Sequence, residues 1–392
     1  MTSIRTIVHN LRPIHKTLSW DEQKRIIKSM PVPSDDIDRA LFHYLSCTAN
    51  FYKIEKLALN VLSAFAIPIF LLCGLTNKLL VKNITECDAV FLQVNDANNT
   101  VYPFDDFFPN EIRLEYKNII NIQKTKFFDF KSVVFDYKAI HIWKRLHRRY
   151  PFSLHFQLLV LIHMFSLNQL IIQYKPKSII TYRVETDPTS TLNTSFCESK
   201  GIDYVCFMHG DYLMQSIQCF FRFSKYYIWE GYRPLFIESR CAEDQYIEIV
   251  PPFFNNSSIR TDDENVTYYF DGEDDDIEGV IAVLNKLIKS GYICYIRPHP
   301  RFSDISKIKN ALINSAIKFQ NPFDNDIHQS IINTKYAIGK HTTVLSQAYF
   351  CGCNIIIDDV TDRLLYDQLK ERKYICILRP HQLLSEFVKQ TE

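Results

Sequence analysis

Glycine is scarce, at 9 of 392 residues, and neither a GxGxxG nor a P-loop pattern occurs. Both absences count against a nicotinamide-type or P-loop phosphate cradle. Charge of one sign is also missing: 45 basic residues face 44 acidic ones, a formal net charge of +1. Nothing in that balance argues for a nucleic-acid partner. The amino terminus, MTSIRTIVHNLRPIHK, lacks an apolar h-region, so no cleaved signal is expected. The 11 cysteines stand singly apart from Cys351-Gly-Cys353. With no second Cys or His pair at finger-like spacing, no metal site is expected, and the thiols suit small buried hydrophobes in a reducing compartment.

What is present is globular: 47% apolar and 23% charged residues. Strands alternate with helices from Ala89 onward, which predicts mostly parallel, doubly wound α/β sheets. Residues 85–250 and 251–392 are expected as two Rossmann-like domains behind a helical region at 1–84. Within that region residues 57–75 (LALNVLSAFAIPIFLLCGL) carry no charge. Three placements stay open for it: a bilayer span, a helix in the membrane interface, or a buried core helix. Pro68 is expected to kink or break it. The basic turn WKRLHRRY at residues 143–150 suits a phosphate or lipid contact, or a solvated helix face.

Residues 265–300 organise the second domain. Strand 266–270 runs into Asp271-Gly272 and the acidic residues 273–276. A helix follows, with Ile277, Val280, Ile281, Leu284, Leu287 and Ile288 on one face and Gly291 at its end. Strand 292–297 then exits through Arg297-Pro298-His299-Pro300. Ligands of open α/β sheets bind beyond the carboxyl ends of the strands, which places Asp271 and His299 in one crevice. A third strand, 336–339, leads to Lys340-His341-Thr342-Thr343 at the start of a helix, where unpaired amide donors and hydroxyls suit a phosphate. The alternative is that one threonine merely caps the helix. Asp271 is the candidate general base. In the first domain Glu185 and Asp187, after strand 178–182, and His209, after strand 204–208, are rival bases or acceptor ligands. Residues 374–378 (YICIL) complete the predicted strands, and Arg379-Pro-His381 beyond them is expected to be structural.

Phe270-Asp271-Gly272, His299-Pro300 and Thr342-Thr343 resemble the acidic–acidic–Gly, HP and Ser-Ser/Thr motifs of bacterial surface-polysaccharide glycosyltransferases, the bacterial sialyltransferases above all. Residues 185–211 are similar to segments of O-antigen and capsule cluster proteins. Phe270 stands where that family has its first acid, and the hydroxyl pair is Thr-Thr. The resemblance implies a GT-B architecture, two Rossmann-like domains facing across a cleft. Asp271 would be the base; His299, Thr342 and Thr343 would hold the donor phosphate, with Gly272, Arg297, Pro300 and His341 lining its site. It further implies an inverting transfer from a nucleotide sugar, CMP-sialic acid foremost; metal independence is expected because no DxD-type pair stands in a suitable loop and His and hydroxyl groups can hold the phosphate. The acceptor would be an oligosaccharide on a lipid diphosphate, met by peripheral contact at the inner face of the cytoplasmic membrane. Transfer from CDP-glycerol, in enzymes pairing an HG histidine such as His209 with a later histidine, is the alternative, as is a UDP-sugar 2-epimerase. A non-catalytic scaffold in a polysaccharide-assembly complex is the fourth.

Overall fold

The structure, a computed structural model, describes residues 18–78, 85–94, 108–124, 133–182, 184–251, 264–272 and 276–391. Arg183, the loop at Asn95-Asp96, most of the aromatic stretch 102–109 and the acidic residues 273–275 lie outside them. The chain divides into two compact units. One runs to His209 and resumes over Gln215–Ile249; the other takes Gly210–Met214 and everything from Val250.

The first unit opens with helices Trp20–Ser29, Asp36–Cys47 and α1 (Lys53–Lys78). They pack onto its α/β layer and form no separate body: Tyr44 stacks on Phe156 at 4.7 Å, and Ser195 donates to Asp36 at 2.6 Å. Helix α1 continues through Pro68 without a break. Strands β1 (Ala89–Val94) and β2 (Ile119–Lys124) follow. The long apolar helix α2 (Leu154–Tyr174) leads to β3 (Ser178–Tyr182), α3 (Ser190–Ser199) and β4 (Asp203–Phe207). Strands β5 (Lys225–Trp229) and β6 (Tyr246–Ile249) complete a parallel sheet in the order β2-β1-β3-β4-β5-β6. Helix Tyr137–Arg149 carries the basic turn, and its polar groups are largely used internally. Trp143 Nε1 donates to Gln157, Arg149 pairs with Asp35 and Asp38, and the Tyr150 hydroxyl donates to Asp38.

The second unit contains β7 (Asn265–Tyr269), α4 (Ile277–Lys289), β8 (Ile293–Arg297), β9 (Lys318–Phe319) and β10 (Tyr336–Gly339). Helix α5 (Thr343–Phe350), β11 (Asn354–Ile357) and β12 (Gln382–Leu383) follow. All pairings are parallel, in the order β12-β11-β10-β7-β8-β9. With β7 counted as first, this is the doubly wound 3-2-1-4-5-6 order, and the winding reverses between β7 and β10. Strand β7 is buried on both faces. Val266, Tyr268 and Phe270 pack with Val280, Leu284 and Leu287 of α4, while Tyr269 turns the other way to Ser330 and Thr334. Phe270 is thus a core residue, which accounts for its standing where the resembled motif has an acid.

The run 374–378 was expected as a strand and is instead a short helix, Ile375–Leu378; the last strand is the two-residue β12. A short apolar run has no periodicity long enough to separate the two states. Arg379 lies over Tyr349 and Phe350, and its carbonyl meets His381 Nδ1.

Candidate functional site

The winding reversal in the second unit brings two loops together. Strand β7 delivers Asp271 and β10 delivers His341, and Asp271 Oδ2 lies 3.8 Å from His341 Nδ1. Gly339 permits the close approach: a Cβ there would fall 3.1 Å from the Tyr269 carbonyl oxygen. Burial pushes the His341 imidazole down to about 4, with the nearby Arg372 charge adding to the effect. The ring is therefore neutral at pH 7, and the contact with Asp271 is not an ion pair. Asp271, 41% exposed, keeps the access a general base needs.

His299 sits in a tight turn after β8. Its backbone N–H donates to Ser303 Oγ at 2.9 Å, and its Nδ1 accepts from the backbone N–H groups of Arg301 at 3.1 Å and Phe302 at 3.3 Å. Two donors on Nδ1 leave the proton on Nε2, so the ring presents an N–H donor. Burial and the Arg301 charge lower its pKa, which keeps that donor neutral. The ring stacks on Phe302 at 4.6 Å, and Phe302 borders Gly272. Pro300 belongs to the same turn.

At α5 the two threonines separate in role. Thr342 is the N-cap, accepting from Val344 N at 3.4 Å. Thr343 Oγ1 meets the backbone N–H of Asp211 at 3.5 Å. The segment Gly210–Met214, which follows His209, thus lies along the start of α5. Tyr374, fully buried, ties these pieces: its hydroxyl lies 3.0 Å from the Thr342 carbonyl and 3.3 Å from Asp211 Oδ2, and its ring is edge-on to His341 at 5.0 Å. Tyr374 carried no local sequence signal, whereas Asp211 closes the strand exit His209-Gly210-Asp211. Arg297 is engaged elsewhere, donating from Nη2 to the Asn325 carbonyl at 2.8 Å beside Tyr269, with burial lowering its pKa.

The first-unit candidates are held by structural partners. Glu185 is buried and accepts from the Tyr226 hydroxyl at 2.7 Å. Asp187 accepts from Thr189 N at 2.9 Å and Thr189 Oγ1 at 2.8 Å, and faces His163 Nδ1 at 3.1 Å. Burial alone would raise the Asp187 carboxyl; the His163 charge and these hydrogen bonds outweigh it and bring it below the usual value. His209 lies edge-on to Tyr182 at 5.9 Å.

A pH signature follows from His43 in the same unit. It is fully buried, with Nε2 3.2 Å from the Ile217 carbonyl, and burial pushes it down to about 4 against the opposing Asp187 charge. The unfolded imidazole takes its proton near 6.5, the folded one near 4. Between those values the unfolded chain binds more protons, so stability falls as pH falls. His43 alone should remove about 3 kcal/mol by the end of that window. Thermal melts from pH 7 to 4 should show the decline, and His43→Gln should flatten it; an unchanged slope would contradict the assignment.

No protein-family model matches the chain, and no curated protein sequence does. Solved structures do match. UDP-N-acetylglucosamine 2-epimerase from Rickettsia bellii is 12% identical, with 78% of this chain and 93% of that one covered, at a TM-score of 0.42. The wall teichoic acid polymerase TagF is 11% identical over 86% and 88%, at 0.41. Acinetobacter baumannii MurG is 10% identical over 77% and 89%, at 0.40. At such identities and TM-scores this likeness carries no argument about the chain, and its chemistry has to come from its own residues.

Proposed function

We propose that this chain is a GT-B-type glycosyltransferase of bacterial surface-polysaccharide assembly. In this reading it moves sialic acid from CMP-sialic acid to a lipid-diphosphate-linked oligosaccharide, at the inner face of the cytoplasmic membrane. The observation that carries the reading is the His299 ring, whose Nδ1 accepts from two backbone N–H groups and leaves Nε2 to donate, on the sheet edge that bears Asp271 and the α5 amino terminus. Asp271 takes the proton of the acceptor hydroxyl as its oxygen attacks the anomeric carbon. The bond from that carbon to the phosphate oxygen breaks, with inversion. His299 and the α5 dipole meet the charge gathering on the departing phosphate, and no metal takes part.

A second reading, transfer from CDP-glycerol, is favoured by one contact. Gly210 and Asp211, which belong to the second unit, lie against Thr343 and so join its histidine and hydroxyl cluster. The test is turnover of CMP-sialic acid, CDP-glycerol and UDP-sugars with lipid-linked acceptors, with and without EDTA. Acceptor-dependent CMP release that survives EDTA is expected. Consumption of CDP-glycerol would move the second reading to the front. UDP release without an acceptor would indicate an epimerase, and loss of activity in EDTA would contradict metal independence.

A further inference from the structure

Helix α1 has no charged residue between Lys56 and Lys78, and its two sides have different fates. Ser63, Ile67, Phe70 and Gly74 recur at helical spacing and are buried against the first unit. On the rest of its surface Leu57, Val61, Leu62, Phe65, Ile69, Leu72 and Leu75 are each 47–73% exposed. This is not a buried core helix, and so long a ridge of apolar side chains on one element exceeds what a soluble monomer ordinarily shows to water. The ridge offers no ionisable group along its length. A protein interface of that extent carries a polar rim and about one hydrogen bond per 100–200 Å². The charges stand instead at the two ends, Lys53 and Lys56 in the first turns and Lys78 in the last, against a single acid, Glu55. Such an arrangement complements an apolar layer bounded by anionic headgroups.

The buried side argues against a span. Asn60 Oδ1 accepts from the backbone N–H of His155 at 2.9 Å, Phe70 stacks on Phe165 at 5.7 Å, and Asn77 Nδ2 donates to the Val133 carbonyl at 3.0 Å. Gly74 admits the Phe165 ring so closely that a Cβ would lie 2.9 Å from it, and its carbonyl accepts from Phe135 N at 3.0 Å. These ties are spread along about 25 Å of the helix axis. Standing α1 across a bilayer would break them or carry α2 and the sheet behind it into hydrocarbon.

We infer that α1 is a membrane-docking helix that lies in the plane of an anionic bilayer. Its apolar ridge enters the headgroup–acyl boundary, and Lys53, Lys56 and Lys78 meet lipid phosphates. This gives a surface and an orientation to the membrane contact proposed above, and it does not depend on the donor or the chemistry.

The test is flotation of the full chain with phosphatidylcholine vesicles with and without phosphatidylglycerol, alongside single tryptophan replacements read by brominated-lipid quenching. Binding to the phosphatidylglycerol vesicles that weakens with salt is expected. The variant Phe65→Asp with Leu72→Asp should bind roughly tenfold or more weakly while its melting temperature holds, since both positions are exposed. Leu57→Trp, Phe65→Trp and Leu75→Trp should quench at one shallow depth. Deep quenching in the Phe65→Trp variant, with the other two shallow, would overturn the in-plane orientation in favour of a span. Absence of flotation would overturn the inference outright, and a smaller oligomer for the Asp variant in sedimentation would then assign the ridge to a second copy of the chain. Nucleotide binding, measured without lipid, reports separately on the catalytic reading.

Discussion

His299→Ala should lower the transfer rate by about 10²–10³-fold, the size of effect seen when one donor to a developing oxyanion is removed. It should also abolish stabilisation by the nucleotide product. The turn geometry supplies sharper variants. Asn at 299 can still accept from the amides of Arg301 and Phe302, as Nδ1 does, but cannot reach where Nε2 lies. Gln places an amide N–H near the Nε2 position. Gln should therefore retain more activity than Asn, although Asn better preserves the turn. Since burial and Arg301 keep the ring neutral, its N–H persists as pH rises, and the His299-dependent part of the rate should hold from pH 7 to 9. An Asn variant as active as the parent would remove His299 from the chemistry. A rate falling through neutrality would mean that an imidazolium acts instead.

Asp187→Ala should act on stability. It strips the acceptor from Thr189 N, while Thr189 Oγ1 and His163 Nδ1 lose Asp187 but keep their own contact at 2.8 Å. Leaving a buried amide unpaired costs about 1–3 kcal/mol, or roughly 5 °C in melting temperature for a unit of this size. Asp187→Asn keeps one oxygen and should lose less. In both, turnover per folded molecule should stay near the parent value. An Asn variant with an unchanged melting temperature and no turnover would make Asp187 the base and displace Asp271.

Much of the second unit was legible because its signals are local. The apolar periodicity of α4 and the continuous apolar run of β8 gave bounds within a residue of those observed, and β3 and β10 matched their predicted spans. Strand β2 was missed: IINIQK is a short edge strand with no clear alternation. The basic helix at 137–149 was read by its charge alone. Its partners Asp35 and Asp38 come from a turn and a helix a hundred residues earlier, beyond the reach of local pattern.

The candidate site was legible as separate strand ends and not as an assembly. Sequence reasoning paired Asp271 with His299, on adjacent strands. The strand order, invisible in the sequence, sets Asp271 against His341 across the winding reversal. Thr342 takes the capping role that was the alternative for one of the two threonines, while Thr343 faces Asp211. Tyr374 was hidden in a run read as a strand. The apolar segment 57–75 showed its composition but not its sidedness, because only packing distinguishes Phe70, which is buried, from Phe65, which is not.

The central claim is that the sheet edge bearing Asp271, His299 and the α5 amino terminus holds an activated nucleotide. Calorimetric titration of the full chain with CMP, CDP, UDP and GDP tests it most directly. The account predicts saturable binding of a cytidine nucleotide, CMP foremost, that is lost in His299→Asn while that variant's melting temperature is retained. At 100 times its dissociation constant the nucleotide should add about 2.7 kcal/mol of stability. No heat with any of the four, or equal binding by parent and His299→Asn, would contradict it.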